Sequence, residues 1–196
     1  MRPEREPSIY SCQVPVVREE LLRKKKNPSE VPVGEIPLIR HAEPYDAGGI
    51  ISCMQGVMDE GVFLLGDYYL VTERMQKEMI LSWNDCTLVA DKNKEIVGVL
   101  TIQRGSYRKN SHTGTLGIAI RKDFRQQGLG KKMMTAGLEW AKTSGIKKVN
   151  LEVFSTNLRA ISLYKSLGFV EEGRKKCQFL INNEYVDDIL MSLWFE

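Results

Sequence analysis

Leu116-Gly-Ile-Ala-Ile120 runs almost directly into Arg125-Gln-Gln-Gly128-Leu-Gly130-Lys131, and this join decides how the rest of the chain is read. The first stretch alternates as a strand does, and its centre is Leu116, Ile118 and Ile120. The second is a glycine-bearing turn that opens a helix. Leu129, Met133, Ala136, Gly137, Trp140 and Ala141 line one face of that helix to about Ser144, and Gly145 fits the position just past its end. A helix start carries unpaired N–H groups and a partial positive charge, so it suits a phosphate. Gly128 and Gly130 lack a Cβ and let the backbone approach an anion closely. Arg125, Lys131 and Lys132 add charge. Neither GxxxxGK[ST] nor GxGxxG is present. Taken alone, the same residues also suit a tight strand-to-helix turn with no ligand.

About thirty residues further on stands a second group: Leu151-Glu-Val-Phe-Ser-Thr-Asn157, Arg159-Ala-Ile-Ser-Leu-Tyr164 and Leu167-Gly-Phe169. Asn157 sits at a strand end before a helix, where an N-cap is its ordinary role. Tyr164 follows two turns later on the same face, where a core tyrosine is its ordinary role.

Outward from these groups the periodicity predicts the remaining elements. Upstream come a short strand over Ile36–Arg40, a helix over Glu43–Met58 and a helix over Thr72–Trp83, with Thr72 as N-cap. A hairpin follows: Cys86–Ala90, a turn over Asp91–Lys94, and Glu95–Arg104. Gly105–Ser111 reads as a polar loop and Thr113–Arg121 as a strand. Downstream, Lys148–Phe154 is a strand and Leu158–Leu167 a helix. Gly168-Phe169 turns into a further strand. Cys177–Ile181, the turn Asn182-Asn183 and Tyr185–Phe195 close the chain as a hairpin. The predicted order is βααβββαβαββ, without internal repeats.

Length and composition bound the rest. A chain of 196 residues, 42% hydrophobic and 27% charged, is one globular domain of ordinary size with a short extension. Residues 1–34 form that extension, an N-terminal arm. It holds five of the seven prolines, the run Arg23-Lys24-Lys25-Lys26, and a possible short helix over Val16–Lys26. Residues 35–196 form the domain. No apolar run is long enough to span a membrane, and the N-terminus lacks a signal-peptide core, so a membrane partner is not expected. The net charge of +3 is too small an excess to argue for nucleic acid. Cys12, Cys53, Cys86 and Cys177 form no CxxC and only two histidines are present, so no metal site is expected. The cysteines read as reduced thiols in a cytoplasmic protein.

In this order and spacing, the two groups resemble the GCN5-related N-acetyltransferase (GNAT) superfamily. Arg125-x-x-Gly128-x-Gly130 is similar to its pyrophosphate loop, and Asn157-x-x-Ala160-x-x-x-Tyr164-x-x-x-Gly168-Phe169 to its distal coenzyme motif. Ile39-Arg-x-Ala42 with Asp46 resembles the family's first strand and helix. Phe179-x-Ile-Asn-x-Glu-Tyr185-Val-Asp-Asp188 resembles the closing hairpin of members acting on small amines or amino acids. The likeness covers about residues 36–195.

The resemblance implies an α/β fold: a mixed, strongly twisted sheet of six to seven strands with helices on both faces and a splay between two central strands, Leu116–Arg121 and Lys148–Ser155. It implies acetyl-CoA as cosubstrate in that wedge. Ile118, Ala119 and Ile120 would meet its pantetheine arm through their backbone. Arg125, Gln126, Gln127, Gly128, Leu129, Gly130 and Lys131 would meet the pyrophosphate. Asn157 would bond the pantetheine arm, Lys165 would reach the ribose phosphate, and Tyr164 would be the general acid near the sulfur. The expected activity is transfer of acetyl from acetyl-CoA to a primary amine by direct attack, the acceptor being a small-molecule amine or a peptide N-terminus. The resemblance and the proline-rich arm together imply a homodimer.

The base is left open. Many relatives carry a glutamate where this chain has Thr115, which cannot serve. His112, Glu60, Asp187 and Asp188 are the substrate-side candidates, the last two as binders of a cationic acceptor; an ordered water chain is another route. Gly61-Val-Phe-Leu-Leu-Gly66 is apolar, and reads as an acceptor-pocket wall or a dimer contact. The alternative to an enzyme is a non-catalytic acetyl-CoA-binding sensor or interaction protein, which the threonine at 115 keeps in play.

Overall fold

The computed structural model describes residues 36–196. Contacts divide the chain into Met1–Gly34 and Glu35–Glu196; the expected arm and its helix over Val16–Lys26 lie outside the described residues. The elements are β1 (Leu38–His41), α1 (Ala47–Met58), α2 (Glu73–Ile80), β2 (Cys86–Lys92), β3 (Glu95–Arg104), β4 (Thr113–Ile120), α3 (Leu129–Thr143), β5 (Lys148–Phe154), α4 (Leu158–Ser166), β6 (Val170–Ile181) and β7 (Glu184–Trp194). Short 3₁₀ turns over Pro44–Asp46 and Lys122–Phe124 precede α1 and α3. The first of these takes up the start of the helix expected from Glu43, because Pro44 lacks an N–H and Arg40 and Glu43 hold the Asp46 carboxylate at the turn.

All seven strands form one sheet in the order β1-β2-β3-β4-β5-β7-β6. Every neighbouring pair is antiparallel except β4 and β5. The turns joining β2 to β3 and β6 to β7 place Asn93, Lys94, Asn182 and Asn183 at positive φ, the geometry that matches a tight turn to strand twist. The expected separate strand after Phe169 and the first arm of the closing hairpin are one strand, β6. Register irregularities at Glu171/Gly173 and Lys175/Phe179 keep it paired with β7, and they hid its continuity by breaking the period of two.

Alternation along the strands sorts side chains onto two faces. Leu88, Leu100 and Leu116 pack beneath α3 and α4 with Met133, Met134 and Tyr164. Val89 and Val99 pack with Ile50 and Cys53 of α1, and Ile80 of α2 joins them. Burying each large side chain of this kind stabilises the fold by about 1.5–3 kcal/mol. No helix among the described residues is long and apolar enough to cross a membrane.

Candidate active site

β4 and β5 pair only over Thr113–Thr115 and Lys148–Asn150. Beyond those residues they separate, and a cavity of about 850 Å³ opens between them. Its walls are Leu116–Ile120 of β4, Glu152–Phe154 of β5, the start of α3, the Asn157–Tyr164 face of α4, and Phe63–Leu65 from the α1–α2 connection.

Three hydrogen bonds show which backbone groups face the gap. The His112 carbonyl accepts from Lys147 and Lys148 N–H on the β5 side, at 2.8 and 3.2 Å, whereas Arg121 N–H donates to Val97 O on the β3 side at 3.0 Å. Strand polar groups alternate sides, so the even-numbered residues 114 to 120 point N–H and C=O toward β5. Ile120 O is taken by Arg125 Nε at 2.7 Å. Ile118 presents its backbone to the cavity, where β5 has already diverged.

The turn into α3 follows from two left-handed residues, Gln126 at φ 61° and Gly128 at φ 78°. A Cβ at Gly128 would meet nothing within 4 Å, so this glycine faces open space. The first bond into the helix is Lys132 N–H to Gly128 O at 3.1 Å. The amides of Leu129, Gly130 and Lys131 are therefore the free donors of a helix start. Gly130 serves packing as well, since a Cβ there would lie 3.3 Å from Leu163 Cδ2. The side chains of Gln127 and Leu129 turn away from the cavity. Gln127 donates to Asp123 O at 2.8 Å, and Leu129 is buried in the core.

Asn157 Oδ1 accepts from Ala160 N–H at 3.2 Å and so caps α4 while lining the cavity. Tyr164 lines it too, packed on Phe169 with ring centroids 5.9 Å apart, and burial pushes its phenol up to about 12. Lys165, the next residue, is exposed and is not among the cavity's lining residues.

The substrate-side candidates disperse. His112 sits at the paired end of β4, its ring 6.3 Å from that of Trp194, away from the cavity. Asp187 accepts from Cys177 N–H at 2.8 Å and pairs with Arg174 at 3.1 Å, and these partners hold its carboxyl below the usual range. It too is off the cavity. Glu60 is bound in both directions by the Arg125 fork, with Arg125 Nη1 2.7 Å from Oε2. Arg125 is thus not the free cation that its place beside the glycines predicts. Asp188 does line the cavity, 2% exposed, with Lys175 Nζ 2.9 Å from Oδ2.

Glu152 was not a sequence candidate. It lines the cavity from β5, opposite in face to the buried Leu151 and Val153, and shares Lys175 with Asp188 at 3.2 Å. The available signal was one carboxylate in an otherwise apolar run, Leu151-Glu-Val-Phe154.

The model of the acetyltransferase (GNAT) family matches residues 58–169, more than half of the chain. The chain belongs to this family of acetyl-CoA-dependent acyltransferases. An L-amino acid N-acetyltransferase of Escherichia coli is 33% identical over 109 residues, 54% of this chain and 65% of that protein. The match therefore spans somewhat under two thirds of that relative. The N-alpha-acetyltransferase 30 of Dictyostelium discoideum is 29% identical over 72% of each chain. A GNAT-family acetyltransferase structure from Streptococcus pneumoniae has a TM-score of 0.76 at 32% identity, covering 81% of this chain and 99% of that one. A phosphinothricin acetyltransferase from Sinorhizobium meliloti, solved with acetyl-CoA, shares the fold at TM-score 0.73 and 17% identity over 82% of this chain and 89% of that one.

Proposed function

We propose that this chain is an N-acetyltransferase that moves the acetyl group of acetyl-CoA to a primary α-amine, of an amino acid or a peptide N-terminus, by direct attack. The observation that carries the reading is the unpaired backbone of Ile118 in a cavity continued by the open amides at Gly128–Lys131. A narrow wedge of free amides followed by a helix start suits an amide-bearing arm ending in a pyrophosphate.

Acetyl-CoA supplies an activated thioester. Ile118 N–H donates to the acetyl oxygen as negative charge builds on it. Gln126, Gly128, Leu129, Gly130 and Lys131 hold the pyrophosphate through backbone N–H groups, and Asn157 offers its side-chain N–H₂ to the pantetheine arm. Glu152 receives the proton of the acceptor amine, directly or through one water, and Asp188 shares the acceptor's positive charge. Tyr164 donates a hydrogen bond to the departing sulfur. Full proton transfer from a phenol near 12 to a thiolate of pKa about 8.5 is uphill by about 5 kcal/mol, so Tyr164 acts as a neutral donor rather than a strong acid. Glu152 supplies a carboxylate that Thr115 does not, which weakens the case for a non-catalytic sensor.

Two considerations support an α-amine as acceptor. An α-amine of pKa about 8 gives up its proton at pH 7 for about 1–2 kcal/mol, against about 4–5 kcal/mol for a lysine-like amine. The Phe63–Leu65 wall favours an acceptor with an apolar group beside the nitrogen. The relatives named as an L-amino acid N-acetyltransferase and an N-alpha-acetyltransferase fall in the same class. The test is release of free CoA, by thiol detection, from the full chain with a panel of amino acids, N-terminal peptides and polyamines across pH 6–9. Turnover favouring apolar α-amines is expected. Acetyl-CoA binding with no turnover on any amine overturns the reading.

A further inference from the structure

Arg125 makes contacts that coenzyme binding does not explain. Its Nε donates to Ile120 O at 2.7 Å, at the last residue of β4. Both terminal nitrogens bind the Glu60 carboxylate just after α1. Its guanidinium carbon lies 4.7 Å from the centroid of the Phe63 ring. Three of its five N–H bonds are thereby committed to the protein, and the planar face is covered. The pair is sheltered, with side chains 24% and 21% exposed, so it is worth more than an open surface pair.

These contacts join two parts of the site that no strand or helix joins. Ile120 continues the strand whose Ile118 faces the cavity, and Phe63-Leu-Leu65 forms the opposite wall. Glu60 and Phe63 belong to the connection between α1 and α2, whose turn after Asp59 is held by Gly61 N–H to Met58 O at 2.8 Å. Among the described residues no other side-chain hydrogen bond or ion pair ties the Phe63–Leu65 wall to β4.

We propose that Arg125 is a positioning residue for the acceptor side of the site: with Glu60 it clamps the Phe63–Leu65 wall against the end of β4, and so sets acceptor affinity and selectivity for apolar acceptors rather than coenzyme affinity. The inference rests on the transferase reading above. Its consequence is a split between the two substrates. Loosening the clamp leaves the backbone cradle for the pyrophosphate in place but frees the wall that the acceptor packs against.

The test uses the full chain as Glu60→Gln, Arg125→Gln, the double variant and Arg125→Lys. Acetyl-CoA Kd is measured by calorimetry, and acceptor KM and kcat with an apolar amino acid and with glycine. Amide hydrogen exchange over residues 59–66 is followed by mass spectrometry. Each single variant is expected to raise KM for the apolar acceptor about tenfold, with little change for glycine and less than threefold change in acetyl-CoA Kd. The double variant should be no worse than either single one, because both break one clamp. Arg125→Lys keeps the charge but not the fork, and should recover only part of the loss. Faster exchange over residues 59–66 should accompany every variant. A tenfold or larger loss of acetyl-CoA affinity in Arg125→Gln but not in Glu60→Gln overturns the inference by making Arg125 a coenzyme ligand. Additive effects, or unchanged exchange over 59–66, overturn it as well. If the wild type binds acetyl-CoA but acetylates no amine, the transferase reading fails, and the exchange data still decide whether the clamp exists.

Discussion

The two edges of β4 have opposite fates. Toward β3 the strand is zipped over seven residue pairs, from Gly98↔Ile120 to Arg104↔Gly114. Toward β5 it pairs over three, and only at its beginning. The ends differ in the same way. At the paired end, His112 O takes two amides from the start of β5, and Arg104 Nη2 reaches Ser144 O at 2.6 Å. At the open end the only tie from a side chain to the strand's carbonyls is Arg125 to Ile120 O, among the described residues. One strand is thus saturated on the side that holds the sheet together and unsaturated on the side that faces the cavity. A backbone that must stay rigid yet offer free amides can be built in no simpler way, since a fully paired strand has none to offer and an unpaired one does not hold its shape.

The sharpest way to break this contrast is to remove one N–H from each edge. Ile118→Pro deletes a donor that faces the cavity and no ladder bond, so kcat should fall about 100- to 1000-fold with the melting temperature nearly kept. Ala119→Pro deletes a donor on the β3 side and should instead lower the melting temperature by about 5 °C or more. Equal thermal losses from the two would refute the assignment of edges. Glu152→Gln comes next, with an expected loss of about 100-fold in kcat/KM at pH 7 that shrinks as pH rises and the free amine deprotonates by itself. A pH-independent loss would remove Glu152 as proton acceptor.

Gly128→Val fills the open space beside the turn and forces a β-branched residue to φ 78°. The strain is about 1–2 kcal/mol in folding, and acetyl-CoA Kd by calorimetry should rise at least tenfold. Tyr164→Phe should lower kcat about tenfold and leave its pH profile unchanged below pH 10, because a phenol at about 12 stays protonated throughout that range. The same burial has a sign in stability. Tyr164 at about 12, Cys53 at about 11 and Cys86 at about 12 hold their protons longer in the fold than in the unfolded chain. Their contribution is complete below about pH 9 and is lost as pH rises toward 12. Tyr164→Phe should flatten part of that alkaline decline in urea titrations. The smallest effect belongs to the zipped end: His112→Gln should leave kcat/KM within about twofold.

Much of this was legible in the chain. Thr72 reads as an N-cap and does accept from Met75 N–H at 3.3 Å; Asn157 likewise caps α4. The β6–β7 turn, the glycine turn before α3 and the βααβββαβαββ order stand as the periodicity has them, whereas the first hairpin turn tightens to Asn93-Lys94 because Asp91 and Lys92 pair with Ile96 and Glu95. Such features depend on a few neighbouring residues, and local sequence contains their causes. The continuity of β6 was hidden by its irregular register, and the clamp of Arg125 by the 65 residues that separate it from Glu60.

The amino-acid sequence alone determined most of the elements, the glycine-bearing turn before α3 and the family, because caps, turns and alternation are short-range and survive without partners. Only the tertiary structure decided which carboxylates meet the cavity, that Glu152 and Asp188 do and His112 and Asp187 do not, and that Arg125 is tied to Glu60. Those choices depend on where two strands stop pairing, and strand separation is a property of the assembled sheet rather than of any segment in it.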